Sequence, residues 1–356
     1  MPCGPYNFEE NINPLTGLPV ANPQNLKIYA PALVSITNFP VTARPQLGLS
    51  YATFIYEMYI GEGASRFLAV FYGDYPPEQV SPDAPHSELG PVRSGRLPYE
   101  TLRRFFNGFM VIASASSRVL PFLDEYTIVS NPNLENINGA RLSVQELKQI
   151  ALDTRKRLGD PILTGQRFEP IPPANGKPAH KVWVAFHSGD QIFWQYDSLR
   201  QAYLRYQDKG TGTPLELFYD GLNNEPLTIE NLIILYTNYY RYDETLFDIE
   251  LKYIYRYPAL LFRDGQMYEI YWTTRSEEIE KQTGKLRPIR FITYDGKPFP
   301  LKPGQTWVEI LQLNNPYYET TDSTEYNVLI RSRQPGSGFW AVPFISPPFI
   351  RSPEKD

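Results

Sequence analysis

Two runs of alternating side chains, separated by a short glycine-rich connector, constrain this chain more than any other feature. Phe54, Tyr56, Met58 and Ile60 alternate with Ile55, Glu57 and Tyr59; Arg66, Leu68, Val70 and Tyr72 alternate with Phe67, Ala69 and Phe71. Period two is the repeat of a β-strand, and the connector Gly61-Glu62-Gly63-Ala64-Ser65 is short enough to fold the runs into an antiparallel hairpin. A two-residue Gly61-Glu62 turn would place Glu57 directly opposite Arg66. The rest of the chain has the same character, with 26 Tyr, 20 Phe, 34 Pro and 23 Gly favouring strands punctuated by turns.

Strand patterns recur at 32–38, 109–113, 182–186, 192–196, 231–236 and 267–272, with Asp-Gly turns at 220, 264 and 295. Helices are predicted from Pro98 to Phe106, with proline in the first turn, and from Ser143 to Arg157, where Ser143 and Glu146 form a capping box. The fold class is therefore α+β: an α/β N-terminal domain with a mixed sheet plus a mainly β C-terminal domain. The expected divisions are a tether over 1–12, the first domain over 13–165, a linker over 166–180, the second domain over 181–315 and a proline-rich tail over 316–356.

The net charge of −5 and the lack of any run of five basic residues argue against nucleic acid as a partner. Gly61-Glu62-Gly63 is followed by Arg66 and a strand, not by the third glycine and helix of a dinucleotide site. Only His86, His180 and His187 could supply imidazole, so neither a metal nor a cofactor is expected. Cys3 has no partner for an internal disulfide, and Cys-Gly followed by a polar, Pro- and Asn-containing stretch is how a mature bacterial lipoprotein begins. A lipid on Cys3 would be the chain's only hold on a membrane.

The candidate site is charged. Arg93 and Arg96, flanking Ser94 and Gly95, lie in a loop that feeds a helix N-terminus, a geometry suited to phosphate or carboxylate. Arg44, Glu57, Glu62 and Arg66 converge on it if the hairpin packs beside the loop. The leading expectation is a non-enzymatic binding or scaffold protein that presents this cluster to an anionic cell-envelope ligand or protein partner. One alternative is an envelope hydrolase or phosphotransferase with the arginines as anion clamp and Glu57 or Glu62 as acid/base. Ser94 as its nucleophile lacks a nearby activating histidine or lysine. A second alternative is a carbohydrate-binding β-domain that stacks sugars on Trp183, Trp194, Trp272 and Trp307.

Several motifs, in order, resemble the YerB-like lipoprotein family of bacteria. They are Asn13-Pro14-Leu15-Thr16-Gly17, Ala43-Arg44-Pro45-Gln46-Leu47-Gly48-Leu49, Glu57, Glu62-Gly63, Arg66 to Phe71 and Gly90-Pro91-Val92-Arg93-Ser94-Gly95-Arg96. Asn231 to Ile234, Arg290-Phe291-Ile292, Asp295-Gly296-Lys297-Pro298 and Pro303 to Val308 are similar to its C-terminal module. The resemblance spans most of residues 13–315. It implies an extracytoplasmic protein on the outer face of the cytoplasmic membrane, with Cys3 as the lipidated residue, but carries over no catalytic residue. Where the family has a glycine-rich, histidine-containing stretch, this chain has Ser114-Ala115-Ser116-Ser117, and the family's later histidine-asparagine segment is not recognisable.

Overall fold

The computed structural model describes residues 1–81, 85–133 and 135–350. Part of the proline-rich excursion after Tyr75 and the end of the tail, Pro353 included, lie outside the described residues. The N-terminal half contributes strands β1 (Ala32–Thr37), β2 (Phe54–Gly61) and β3 (Ala64–Phe71), helix α1 (Leu97–Phe106), strands β4 (Phe109–Ile112) and β5 (Tyr126–Ile128) and helix α2 (Val144–Leu158). Pro98 sits in the first turn of α1. The Ser143 side chain accepts the Glu146 amide at the start of α2 (3.1 Å), which satisfies one of the amides a helix leaves unpaired.

The C-terminal half is mainly β. Its principal strands are β6 (Lys181–His187), β7 (Asp190–Asp197), β8 (Ala202–Asp208), β9 (Asn231–Thr237), β10 (Tyr257–Arg263), β11 (Gln266–Thr273), β12 (Arg290–Ile292), β13 (Thr306–Gln312) and β14 (Phe339–Pro343). Asp264 and Gly265, with φ of 53° and 70°, make the tight β10–β11 turn that the Asp-Gly pair predicts.

Ten of these strands form one mixed sheet in the order β12-β11-β10-β9-β13-β2-β3-β1-β4-β5. Strand β13 lies parallel to both β9 and β2, so the two halves of the chain are hydrogen-bonded into a single sheet. A second sheet is built around β8-β7-β6-β14, and the proline-rich stretch after residue 316 supplies β14, parallel to β6. Helix α1 covers one face of the large sheet, with Phe106 against Tyr56 at 6.3 Å between ring centroids. The second sheet covers the other, with Trp194 against Trp307 at 5.2 Å. A nearly continuous apolar core runs through all three layers.

The β2–β3 hairpin forms with a register that differs from the expected one. Glu62 and Gly63, at φ 53° and 74°, make the turn, and an extra residue at Ile60 bulges β2. Every rung beyond the bulge is thereby displaced: Glu57 faces Phe67, and Arg66 faces Met58. A one-residue slip moves a side chain to the opposite face, so Glu57 points to the second sheet and Arg66 to the helical layer.

Candidate functional site

The slip divides the predicted constellation into two clusters. On the second-sheet face, Glu57 is fully buried and accepts from Arg205 Nη2 (2.8 Å), Trp307 Nε1 (3.0 Å) and Ser65 Oγ (2.6 Å). Arg205 is itself fully buried, ringed by Phe67, Trp194, Phe218 and Trp307 at 4.8–5.5 Å from the ring centroids. Arg44 belongs to this face, donating to Asn38 Oδ1 (3.2 Å) and to the Asp208 carbonyl; Asn38 in turn donates to Ser65 Oγ (2.9 Å). Two more carboxyls complete the cluster. Asp190 accepts from the Ser65 amide (2.7 Å) and Gln207 (3.0 Å), and Glu309, the register partner of Glu57, accepts from Trp194 Nε1 (3.1 Å).

Burial, then the neighbouring Glu57 charge, pushes Asp190 up to about 7 and Glu309 well above the ordinary carboxylate range. Glu309 Oε2 is buried without a hydrogen-bond partner, on the strand beside the Glu57 carboxylate that pairs with Arg205. Burial and the neighbouring charge therefore favour the protonated form of Glu309, while Glu57 is the carboxylate paired to Arg205. A Glu57 carboxylate with 0 % exposure, locked between Arg205 and Trp307, has no path to a substrate in solvent.

On the helical face the structure brings together Arg66, Arg93, Ser94 and Arg96. The β1–β3 pairing sets Arg66 beside Thr37, and the loop 93–96 lies over the end of β1 through the Arg93 amide to the Ser35 carbonyl (2.9 Å). Arg66 Nη1 donates to the Ser94 carbonyl (3.2 Å), Arg93 Nη1 to the Ile137 carbonyl (2.9 Å) and Arg96 Nη1 to the Gly95 carbonyl (3.1 Å). Ser94 Oγ and Ser114 Oγ share a hydrogen bond of 2.8 Å. Ser114 is exposed, and Arg93, Ser94 and Arg96 are half-buried, so the group opens to solvent above a 94 % buried Arg66.

No carboxylate among the described residues comes within 4.0 Å of these three guanidiniums, and the Nε of each is buried without a partner. Burial, with the charges of Arg96 and Arg93, lowers Arg66 to about 9; burial also lowers Arg93 and Arg96. Arg96 is the N-cap of α1 and no side chain caps that end, which adds the partial positive charge of a helix N-terminus. Glu62, exposed in the hairpin turn, is the one predicted carboxylate on this side, and its charge favours the charged form of Arg96. The arrangement is a set of aimed, unneutralised donors fit for an oxyanion. The sequence-based reading did not find Arg205, Glu309 or Asp190: they lie in strands whose apolar surroundings gave no sign that a charge was buried there.

Cys3 is half-buried. Its backbone pairs with Phe168 (3.0 and 2.9 Å), its sulfur lies 3.9 Å from the Gly17 carbonyl, and burial pushes its thiol up. All five tryptophans are buried, the most exposed being Trp340 at 5 %, so none of the four named as sugar platforms presents a face to solvent.

Residues 15–150 match the family described as "Protein of unknown function (DUF3048) N-terminal domain", and residues 182–308 match its C-terminal domain. The "Putative lipoprotein YerB" of Bacillus subtilis (strain 168) is 25 % identical over 320 residues, covering 84 % of this chain and 85 % of that protein. The crystal structure of YerB protein from Bacillus subtilis has the same fold, with a TM-score of 0.60 and 23 % identity over 84 % of this chain and 96 % of that one. The two domain matches together span well over half of the sequence, and in the order the family prescribes: the chain belongs to the YerB-like, DUF3048 family of unknown function.

Proposed function

We propose that this protein is an extracytoplasmic, lipid-anchored binding protein whose Arg66, Arg93 and Arg96 hold the anionic group of a cell-envelope ligand or protein partner. One observation carries the reading: three guanidiniums meet at one solvent-facing loop with unpartnered buried Nε donors and no carboxylate within 4.0 Å among the described residues. Burying cationic groups without a counter-charge is unfavourable, and an incoming anion relieves it. The location is supported by the relative's description as a lipoprotein and by the Cys-Gly start of the mature-lipoprotein pattern. Mass spectrometry of the protein from its native host should find acyl chains on Cys3; unmodified protein free of the membrane would refute the anchor.

The binding reading is tested by thermal unfolding in rising phosphate and citrate at constant ionic strength. The full chain should gain stability with either anion, while Arg93→Ala/Arg96→Ala, which removes two half-buried side chains, should melt near the wild-type temperature and gain nothing. Equal gains for both proteins would remove the site. A collapse of the variant's melting temperature would show that the arginines serve the fold.

A further inference from the structure

A second basic site, independent of the first, lies at the far edge of the large sheet. Strand β12 is the edge strand, and the turn after it, closed by the Thr293 amide on the Lys297 carbonyl (2.8 Å), lifts Tyr294 into solvent. Tyr255 and Arg256 immediately precede β10, two strands away. Between them is a cleft of about 470 Å³, within the range of about 300–1,000 Å³ usual for small-molecule sites. Tyr255 and Tyr294 are 66 % and 67 % exposed, among the most exposed aromatic side chains of the protein.

The charges here are fixed and open. Arg256 donates to the Tyr294 carbonyl and stacks on the Tyr294 ring at 4.0 Å, with Tyr271 at 5.3 Å on another side. Arg290, only 7 % exposed, is tied to the Pro288 carbonyl (3.0 Å) and the Arg275 carbonyl. Neither arginine has a carboxylate within 4.0 Å among the described residues. The lining carboxylate, Asp295, is already bound by Lys297 (2.7 Å) and Thr293, and Arg275 pairs with Glu277 at 3.3 Å and lies over the Tyr255 ring at 5.4 Å. A stacked guanidinium can still bind oxygen at its edge, and although Arg256 lies over Tyr294 and Arg275 over Tyr255, both rings keep about two thirds of their surface exposed beside those cations.

We infer that this cleft binds an acidic saccharide, the sugar ring lying on Tyr255 or Tyr294 and its carboxylate or phosphate meeting Arg256 above the buried charge of Arg290. A bare anion would leave the exposed rings unused, and a neutral sugar would leave the arginines unpaired. A nucleic-acid strand would need a basic track that a chain of net charge −5 does not present.

The test is calorimetric titration of the full chain with trigalacturonic acid, its methyl ester and inorganic phosphate. The acid should bind, the ester and free phosphate at least about tenfold more weakly, and Arg256→Ala and Tyr294→Ala should each weaken the acid by about tenfold. Tyr294 is exposed enough that its variant folds even if Arg256→Ala does not. The titrations are run in parallel in the Arg93→Ala/Arg96→Ala protein, where the site on the helical face is removed and the acid should still bind with the same dependence on Arg256 and Tyr294. Absence of binding at millimolar acid, equal binding of acid and ester, affinity unchanged in Tyr294→Ala, or complete loss of acid binding in Arg93→Ala/Arg96→Ala would each overturn the inference. Phosphate binding as tightly as the acid would reduce the cleft to an anion site with no role for the rings.

Discussion

Glu57 and Glu309 show how one proton decides what a buried carboxyl does. They are register partners on adjacent parallel strands, both without exposure, and only one has a cation. Glu309→Gln keeps an uncharged side chain whose carbonyl can still accept from Trp194 Nε1 and should leave stability within about 1 kcal/mol of wild type, whereas Glu57→Gln strands Arg205 and should lose about 3–5 kcal/mol. Urea unfolding measures both, and the reverse order would refute the protonation assignment. Asp190 contributes to the pH dependence with the same sign as the other carboxyls that burial raises, Glu309 and Asp248 among them. Its carboxyl releases a proton at about 7 when folded but at the ordinary 3.8 when unfolded, so between those values the folded state holds a proton that the unfolded state has lost. Its contribution is therefore fully present below pH 4 and disappears as pH rises through 7. Stability at pH 5 should exceed that at pH 8, and Asp190→Asn should flatten the slope.

At the scale of elements, the strands and helices were legible where a period and a punctuation mark coincided. The hairpin, α1 with Pro98 and α2 with its Ser143 cap all stand where spacing and caps predict them. The register did not follow, because it depends on a bulge at Ile60 that no local residue preference announces. Gly61, at φ 101°, lies where a Cβ would meet the Glu244 carbonyl oxygen at 2.0 Å, so only glycine fits the bend against a turn 183 residues further along the chain. That single shift puts Glu57 and Arg66 on opposite faces; Arg44 joins Glu57 through its own loop, bonded to Asn38 and Asp208. The loop from Arg93 to Arg96 was readable as an anion site because its parts are adjacent in sequence. The acidic core was not, because Arg205, Asp190 and Glu309 meet Glu57 only through the packing of two sheets.

Across the whole molecule, the parallel pairing of β2 with β13 makes the two family domains share one sheet. Buried charges tie the second sheet to it, and the unneutralised arginines lie on the opposite face, so the polar interior stabilises the scaffold while the outer face remains open to a ligand. The tryptophans follow the same division: as core residues they hold the layers together, and surface tyrosines supply the exposed rings. The direct test of the anion site is a crystal of the full chain grown with selenate, with the ion located by its anomalous scattering. Selenate should lie within hydrogen-bonding distance of Arg66, Arg93 and Arg96 beside Ser94; selenate bound elsewhere while that loop stays vacant would contradict it.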